Sequence, residues 1–188
     1  RIEKLNCGLR NFWSNCDGWA PIEAAELITK SRLDWQLSLS GTLRLWVKTS
    51  PEELTEGELI LAWVNLGSLV EGTLKLFLSV YYNDYKEDFE TLKYANAFDY
   101  KKVKPKTPDG LTLDTLQKFV KKKELLQEEH IKLIKLVQQR RNAVHAFQDK
   151  PIGNCQEFDK AVRKYLIMLR SINTRLPYPD GIYEPQEI

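Results

Sequence analysis

LILAWVNLGSLVEGTLKLFLSVY, residues 59–81, is the stretch around which the rest of the chain has to be arranged. Leu59, Trp63, Leu66, Val70, Leu74, Phe77 and Tyr81 recur at three- and four-residue steps, the spacing that stacks side chains on one face of an α-helix. Beside that stripe, Gly67, Ser68, Glu71, Gly72 and Lys75 form a flank of mostly small residues, on which another backbone can approach closely. Glu71 stands out there, because a carboxylate among apolar neighbours is costly to bury unless a cation meets it. Arg140 and Arg141 are the nearest candidates for that cation; the plain alternative is a partly exposed glutamate.

Both arginines belong to a second stretch, QQRRNAVHAF, residues 138–147. It closes an amphipathic run that starts near Glu124, and Asp149, Lys150 and Pro151 break the helix after it. On an ideal helix Arg141 and His145 share a stripe with Val137, Ile134 and His130. Arg140 and His145 are five residues apart and point away from each other unless the helix tightens or ends there. An arginine held against an apolar surface requires a counter-charge or a bound anion. Guanidinium, imidazole and amide together suit a phosphodiester: the first grips phosphate oxygens, the second shuttles protons near neutrality, the third orients an attacking or leaving oxygen. With a ribose 2′-OH as internal nucleophile such a set cleaves RNA without a metal. Each residue also has a structural use. His145 can bond Glu71 or a backbone carbonyl, Asn142 can cap the helix, and Arg140 can cover the last carbonyls. His130 lacks this company and reads as structural.

The spacing of Arg140 and His145, with Arg141, Asn142, Ala143 and Val144 between them, resembles the HEPN family (higher eukaryotes and prokaryotes nucleotide-binding). These are small α-helical proteins marked by an arginine, four to six residues, then a histidine. The family usually has a polar residue, often asparagine, directly after the arginine; here Arg141 takes that place and Asn142 follows. The register starting at Arg141 is one residue short, so either arginine can be the family's. Residues 52–175 match the family in helical layout only. The resemblance implies an endoribonuclease that needs neither metal nor cofactor. His145 would be the acid or base, Arg140 or Arg141 would steady the phosphate, and Asn142 would orient it. It further implies RNA as partner, a homodimer with two motifs facing one groove, and a toxin or phage-defence role with an antitoxin or operon partner protein. Phe147 stands where a toxin subgroup has a tyrosine, so control by nucleotidylation is not expected.

Two other classes compete. One is a non-catalytic helical binding or dimerisation module in which the arginine and histidine are locked to Glu71; the other is a nucleotide-binding protein using the same cations. A Gly-rich phosphate loop, a metal-ligand cluster and a G-x-S-x-G motif are all missing from the sequence, which disfavours those enzyme classes.

A length of 188 residues fits a single domain with one core, residues 1–188. The formal net charge of +2 predicts no general attraction to nucleic acid, so any such surface is local. The local candidate is basic: Lys101, Lys102, Lys104 and Lys106, then Lys118 and Lys121, Lys122 and Lys123, opposed by Asp109 and Asp114. It reads either as an RNA guide or as a solvated loop and helix face. Tyr94, Phe98 and Tyr100 can stack on bases or pack the loop onto the body. Cys7, Cys16 and Cys155 lack metal-ligand spacing and fit a reducing compartment. With no long uncharged apolar run and no signal-peptide pattern, the expectation is a cytoplasmic protein off the membrane. The chain begins with Arg1, so its natural N-terminus can lie upstream.

Residues 1–20 read as an irregular arm docking through Phe12, Trp13 and Trp19. A first helix is expected over 21–47 on Ala24, Ile28, Ser31, Trp35, Leu39, Leu43 and Trp46. Ser50 to Glu53 forms a capping box for a helix running to about Lys86. Residues 87–111 read as a long connection, and Thr112 caps a short helix. The motif helix then spans 124–147. Asn154 to Glu157 is a second capping box, starting a helix on Phe158, Val162, Tyr165, Leu169 and Ile172, and residues 176–188 form an extended tail. The expected fold is all-α, an antiparallel up-down bundle of four long helices with short extra helices.

Overall fold

Thr55 opens the central helix with a reciprocal cap. Its hydroxyl accepts the Glu58 N–H at 3.3 Å, while the Glu58 carboxylate accepts the Thr55 N–H at 2.8 Å. The computed structural model describes residues 1–15, 20–47, 54–145 and 149–187. Among the described residues the chain is all-α, with α1 (Ile2–Trp13), α2 (Ile22–Thr29), α3 (Leu33–Thr42), α4 (Glu56–Val80) and α5 (Tyr82–Glu87) in its first half. Then come α6 (Phe89–Tyr94), a hairpin of two-residue strands β1 (Phe98–Asp99) and β2 (Lys104–Pro105), α7 (Leu113–Lys122), α8 (Glu128–Arg141) and α9 (Cys155–Asn173). The strands pair antiparallel with Phe98 opposite Pro105.

α4 carries the core. Its stripe from Leu59 to Phe77 is buried, and Leu69, Leu76 and Leu78 on other faces are buried as well, because α2, α3, α7, α8 and α9 all pack against it. α4 is long and apolar enough to cross a membrane, yet 61% of its most apolar window is buried inside the protein, as in the core helix of a water-soluble fold. Ile134 and Val137 of α8 and Phe158, Tyr165, Leu169 and Ile172 of α9 close over it, the periodic positions that the sequence marks. Trp63 meets Phe158 edge-on, ring centroids 5.1 Å apart, and its indole N–H donates to the Ile152 carbonyl at 2.8 Å. The loop before α9 is thereby tied to the core.

Residues 2–13 are helical rather than an irregular arm. Asn6, Gly8 and Asn11 dilute the apolar signal, but Leu5, Leu9 and Trp13 keep helical spacing and are buried. The C-terminal tail accounts for Gly8: a Cβ there would lie 2.5 Å from Pro185 Cβ. The tail is not uniformly extended, since Gly181–Tyr183 forms a 3-10 turn, and Trp13 donates to the Tyr178 hydroxyl at 3.3 Å where tail and α1 meet.

The helix expected over 21–47 is broken between Thr29 and Leu33. Ser31 turns its hydroxyl back onto the Ile28 carbonyl at 2.5 Å, a local bond that competes with helix continuation. The break shifts the phase, so Leu33 is buried and Trp35, assigned to the stripe, is 59% exposed under the Arg32 guanidinium. The connection at 87–111 likewise holds α6, started by Asp88 accepting the Thr91 N–H, the hairpin, and a 3-10 turn at Pro108–Gly110. The motif helix is shorter than 124–147, because Glu124 sits at φ 54° and α8 starts at Glu128. The capping box expected at Ser50 to Glu53 lies outside the described residues, as do Cys16, Trp19 and Phe147.

Candidate functional site

α8 ends at Arg141, and Asn142–Val144 tighten into a 3-10 turn whose Asn142 carbonyl accepts the His145 N–H at 3.3 Å. About 3.0 residues per turn replace 3.6 there, so an ideal-helix projection no longer places His145. His145 leaves the turn at φ −84°, ψ 89° with an exposed side chain.

The two arginines at the end of α8 turn in different directions. Arg141 lies on α4, where Gly67 makes room for its stem: a Cβ on residue 67 would come within 2.6 Å of Arg141 Cδ. From there Nη1 donates to Glu71 Oε2 at 2.8 Å, and Lys75 Nζ holds Glu71 Oε1 at 2.8 Å. The carboxylate that looked out of place therefore has two cations. The small-residue flank of α4 receives side chains rather than a neighbouring backbone, Arg141 at Gly67 and Gln36 at Gly72. Gln36 donates there to the Leu69 carbonyl at 2.9 Å.

Arg140 reaches the other way, to α9. Nε and Nη2 donate to the two oxygens of Glu157 at 2.8 and 3.0 Å, a bidentate fork, and Nη1 donates to the Pro151 carbonyl at 2.6 Å. Gly153, at φ +73°, lets the loop pass this pair, since a Cβ there would lie 1.9 Å from Glu157 Oε2. Asn154 caps α9 by accepting the Glu157 N–H at 2.9 Å. The expected second capping box is therefore half formed, because the Glu157 carboxylate is turned toward Arg140.

Of the four predicted site residues, Arg141 is joined to Glu71 and Arg140 is directed elsewhere. Among the described residues no hydrogen bond links the Asn142 or His145 side chain to either arginine. Arg141 Nε and Nη2 likewise carry no hydrogen bond among the described residues. Sequence reasoning missed Glu157 and Gly153; the signal was an acidic residue three positions after the Asn154 cap, on the helix that follows the motif.

The basic residues lie elsewhere. Lys101, Lys102 and Lys104 are exposed around the hairpin, and Lys121, Lys122 and Lys123 end α7. Gln138 of α8 donates to Asp114 at the start of α7 at 3.3 Å, and the short link Lys123–Gln127 joins the end of α7 to the start of α8, so these helices run antiparallel. The lysines at 121–123 thus sit near the start of α8, roughly 20 Å along its axis from Arg141. Lys123 is paired with Asp88 at 2.5 Å, and Lys118 with Asp114 at 2.6 Å. His130 is buried with no partner at Nδ1 among the described residues, and burial, the leading cause, lowers its pKa. Cys7 and Cys155 are free thiols. Among the described residues no group of three or more His, Cys, Asp or Glu side chains is placed to hold a metal ion. Neither a family model, nor a curated protein, nor a solved structure matches this chain.

Proposed function

We propose that the chain is a HEPN-like, metal-independent endoribonuclease in which His145 is the acid or base and Arg141 holds the scissile phosphate. The unequal commitment of the two arginines supports this reading. Arg140 has Nε, Nη1 and Nη2 engaged by Glu157 and Pro151, whereas Arg141 has Nε and Nη2 without a partner among the described residues, beside the 3-10 turn that carries His145. Asn142, one residue after Arg141, is the candidate to orient the phosphate, and the exposed His145 is open to substrate. Acid-base help of this kind contributes roughly 10²- to 10⁴-fold.

RNA is then the partner, guided by Lys101, Lys102, Lys104, Lys121, Lys122 and Lys123, and a strand touching both regions spans roughly 20 Å. The active form is a homodimer. Leu61 on α4, and Leu45 and Val144 on the 3-10 turns Leu43–Leu45 and Asn142–Val144 that pack against it, are 54%, 56% and 50% exposed, apolar side chains available to a second copy. The family layout, an antiparallel up-down bundle, takes α4, α8, α9 and the divided α2–α3 as its four members. A cytoplasmic toxin or phage-defence component with a partner protein from its operon is the matching role.

The experiment is RNA cleavage in the presence of EDTA. His145→Ala and Arg141→Ala each abolish cleavage, and His145→Ala leaves thermal unfolding unchanged because its side chain is exposed. Cleavage that survives His145→Ala removes the reading. A non-catalytic dimerisation module is the second reading, favoured by the Arg141–Glu71 ion pair. In that case the wild-type protein cleaves no RNA and Arg141→Ala lowers stability alone.

A further inference from the structure

At the end of the molecule remote from His145, a cleft of about 800 Å³ opens between the end of α4, α5, the start of α6, and the ends of α7 and α9. Its size is that of a small-molecule site. Phe77, Tyr81, Tyr85 and Phe119 line it. Both phenols are already spent, Tyr85 donating to the Lys106 carbonyl at 2.6 Å and Tyr81 to the Arg175 carbonyl. The cleft is therefore offered mainly aromatic carbon from these residues.

Its electrostatics lean negative. Asp84, Glu87, Asp88 and Glu90 line the cleft, with Lys123 and Arg175 as the cations among the lining residues. Lys123 is paired with Asp88 at 2.5 Å, whereas the Arg175 guanidinium donates to the neutral Leu125 carbonyl and keeps its charge; Asp84, Glu87 and Glu90 have no ion-pair partner among the described residues. α4, α7 and α9 all finish here, at Val80, Lys122 and Asn173, and each helix C-terminus adds roughly half a negative charge. Three helices also start nearby, α5 at Tyr82, α6 at Phe89 with Asp88 as its cap, and α8 at Glu128, and acidic side chains stand in the first turn of each. The protein's own cations already use these rings: Arg175 Cζ lies 4.8 Å from the centroid of Phe77, and Lys93 Nζ 4.0 Å from that of Phe89.

We infer that this cleft binds a small organic ammonium ion, its apolar body against the aromatic wall and its charge at Asp84, Glu87 and Glu90. An anion would face three carboxylates without an ion pair among the described residues and three helix C-termini, with Arg175 as the opposing charge. A neutral ligand of the same shape would use the wall and gain nothing from the mouth. The inference does not rest on the catalytic reading, because the cleft shares no residue with Arg141, Asn142 or His145, although Lys123, one of the proposed RNA-guiding lysines, lines it.

Calorimetric titration of the full chain with three ligands of one shape tests it: 2-phenylethylammonium, 2-phenylethanol and 3-phenylpropionate. The ammonium ion binds about tenfold tighter than the alcohol, the propionate binds more weakly than both, and added salt narrows the difference. The triple variant Asp84→Asn, Glu87→Gln, Glu90→Gln brings the ammonium ion down to the affinity of the alcohol. Glu87→Gln alone, at an exposed position, removes part of the advantage and guards against a folding defect in the triple variant. An ammonium ion that binds no tighter than the alcohol, or an advantage that persists in both variants, overturns the inference.

Discussion

The two ends of α8 treat charge in opposite ways. At its C-terminal end Glu71 and Glu157 each meet an arginine from the consecutive pair Arg140 and Arg141. Toward its N-terminal end Asp84, Glu87 and Glu90 line a cleft and, among the described residues, join no ion pair, and the buried His130 has no partner at Nδ1 among those residues. Matched charges hold chain segments together: Arg140 fixes the loop at Pro151 to the start of α9, and Arg141 fixes α8 to α4. Unmatched charges do the reverse. They leave electrostatic potential unspent at a place where the core is already complete.

Breaking the matched end carries the largest expected effect. Arg140→Ala removes the fork to Glu157 and the bond to Pro151, and urea unfolding falls by about 2–3 kcal/mol. That is below the ~3–5 of a fully buried pair, because the Glu157 side chain is 33% exposed. A loss no larger than that of Arg163→Ala at an exposed position would erase the distinction between the two ends. Gly153→Ala comes next at about 1–2 kcal/mol, since alanine is strained at φ +73° and its Cβ displaces Glu157. Combined with Arg140→Ala it adds little, because both act on one ion pair; full additivity would assign the Gly153 effect to the backbone alone.

The unmatched end shows itself in pH dependence, the smallest effect. Burial lowers the pKa of His130 in the folded state; of its charged neighbours, Glu129 acts to raise it and Arg175 to lower it. The unfolded chain then binds the proton more readily, so stability is level above about 6.5 and declines as pH falls below that value, until the folded state also protonates. Thermal unfolding of His130→Leu from pH 7.5 to 5 shows a flatter profile than wild type. An unchanged slope would place the titration at another group.

How much was legible depends on the length over which a pattern repeats. Leu59 to Phe77 repeats for five turns and survives one flank of small and charged residues, so α4 was readable, as was the stripe of α9 from Phe158 to Ile172. Over 21–47 the same kind of reading failed, because one hydroxyl bond at Ser31 was enough to end α2 and rephase α3. The partner of Glu71 could be narrowed to Arg140 or Arg141 from the sequence, since a carboxylate on an apolar helix requires a cation, but the second cation, Lys75, was not foreseen. The partner of Arg140 could not, because Glu157 sits at a position where a glutamate ordinarily turns back to cap its own helix.

By itself the sequence determined the helical class, the central helix, and the demand for a counter-charge at Glu71, all consequences of local periodicity and of the cost of burying a bare carboxylate. Tertiary structure alone decided which arginine serves which carboxylate, that the lysines at 121–123 end far from His145, and that three helix ends gather round one acidic cleft. Those outcomes depend on helix packing angles and on the room left at Gly67 and Gly153, and residues distant along the chain set them jointly.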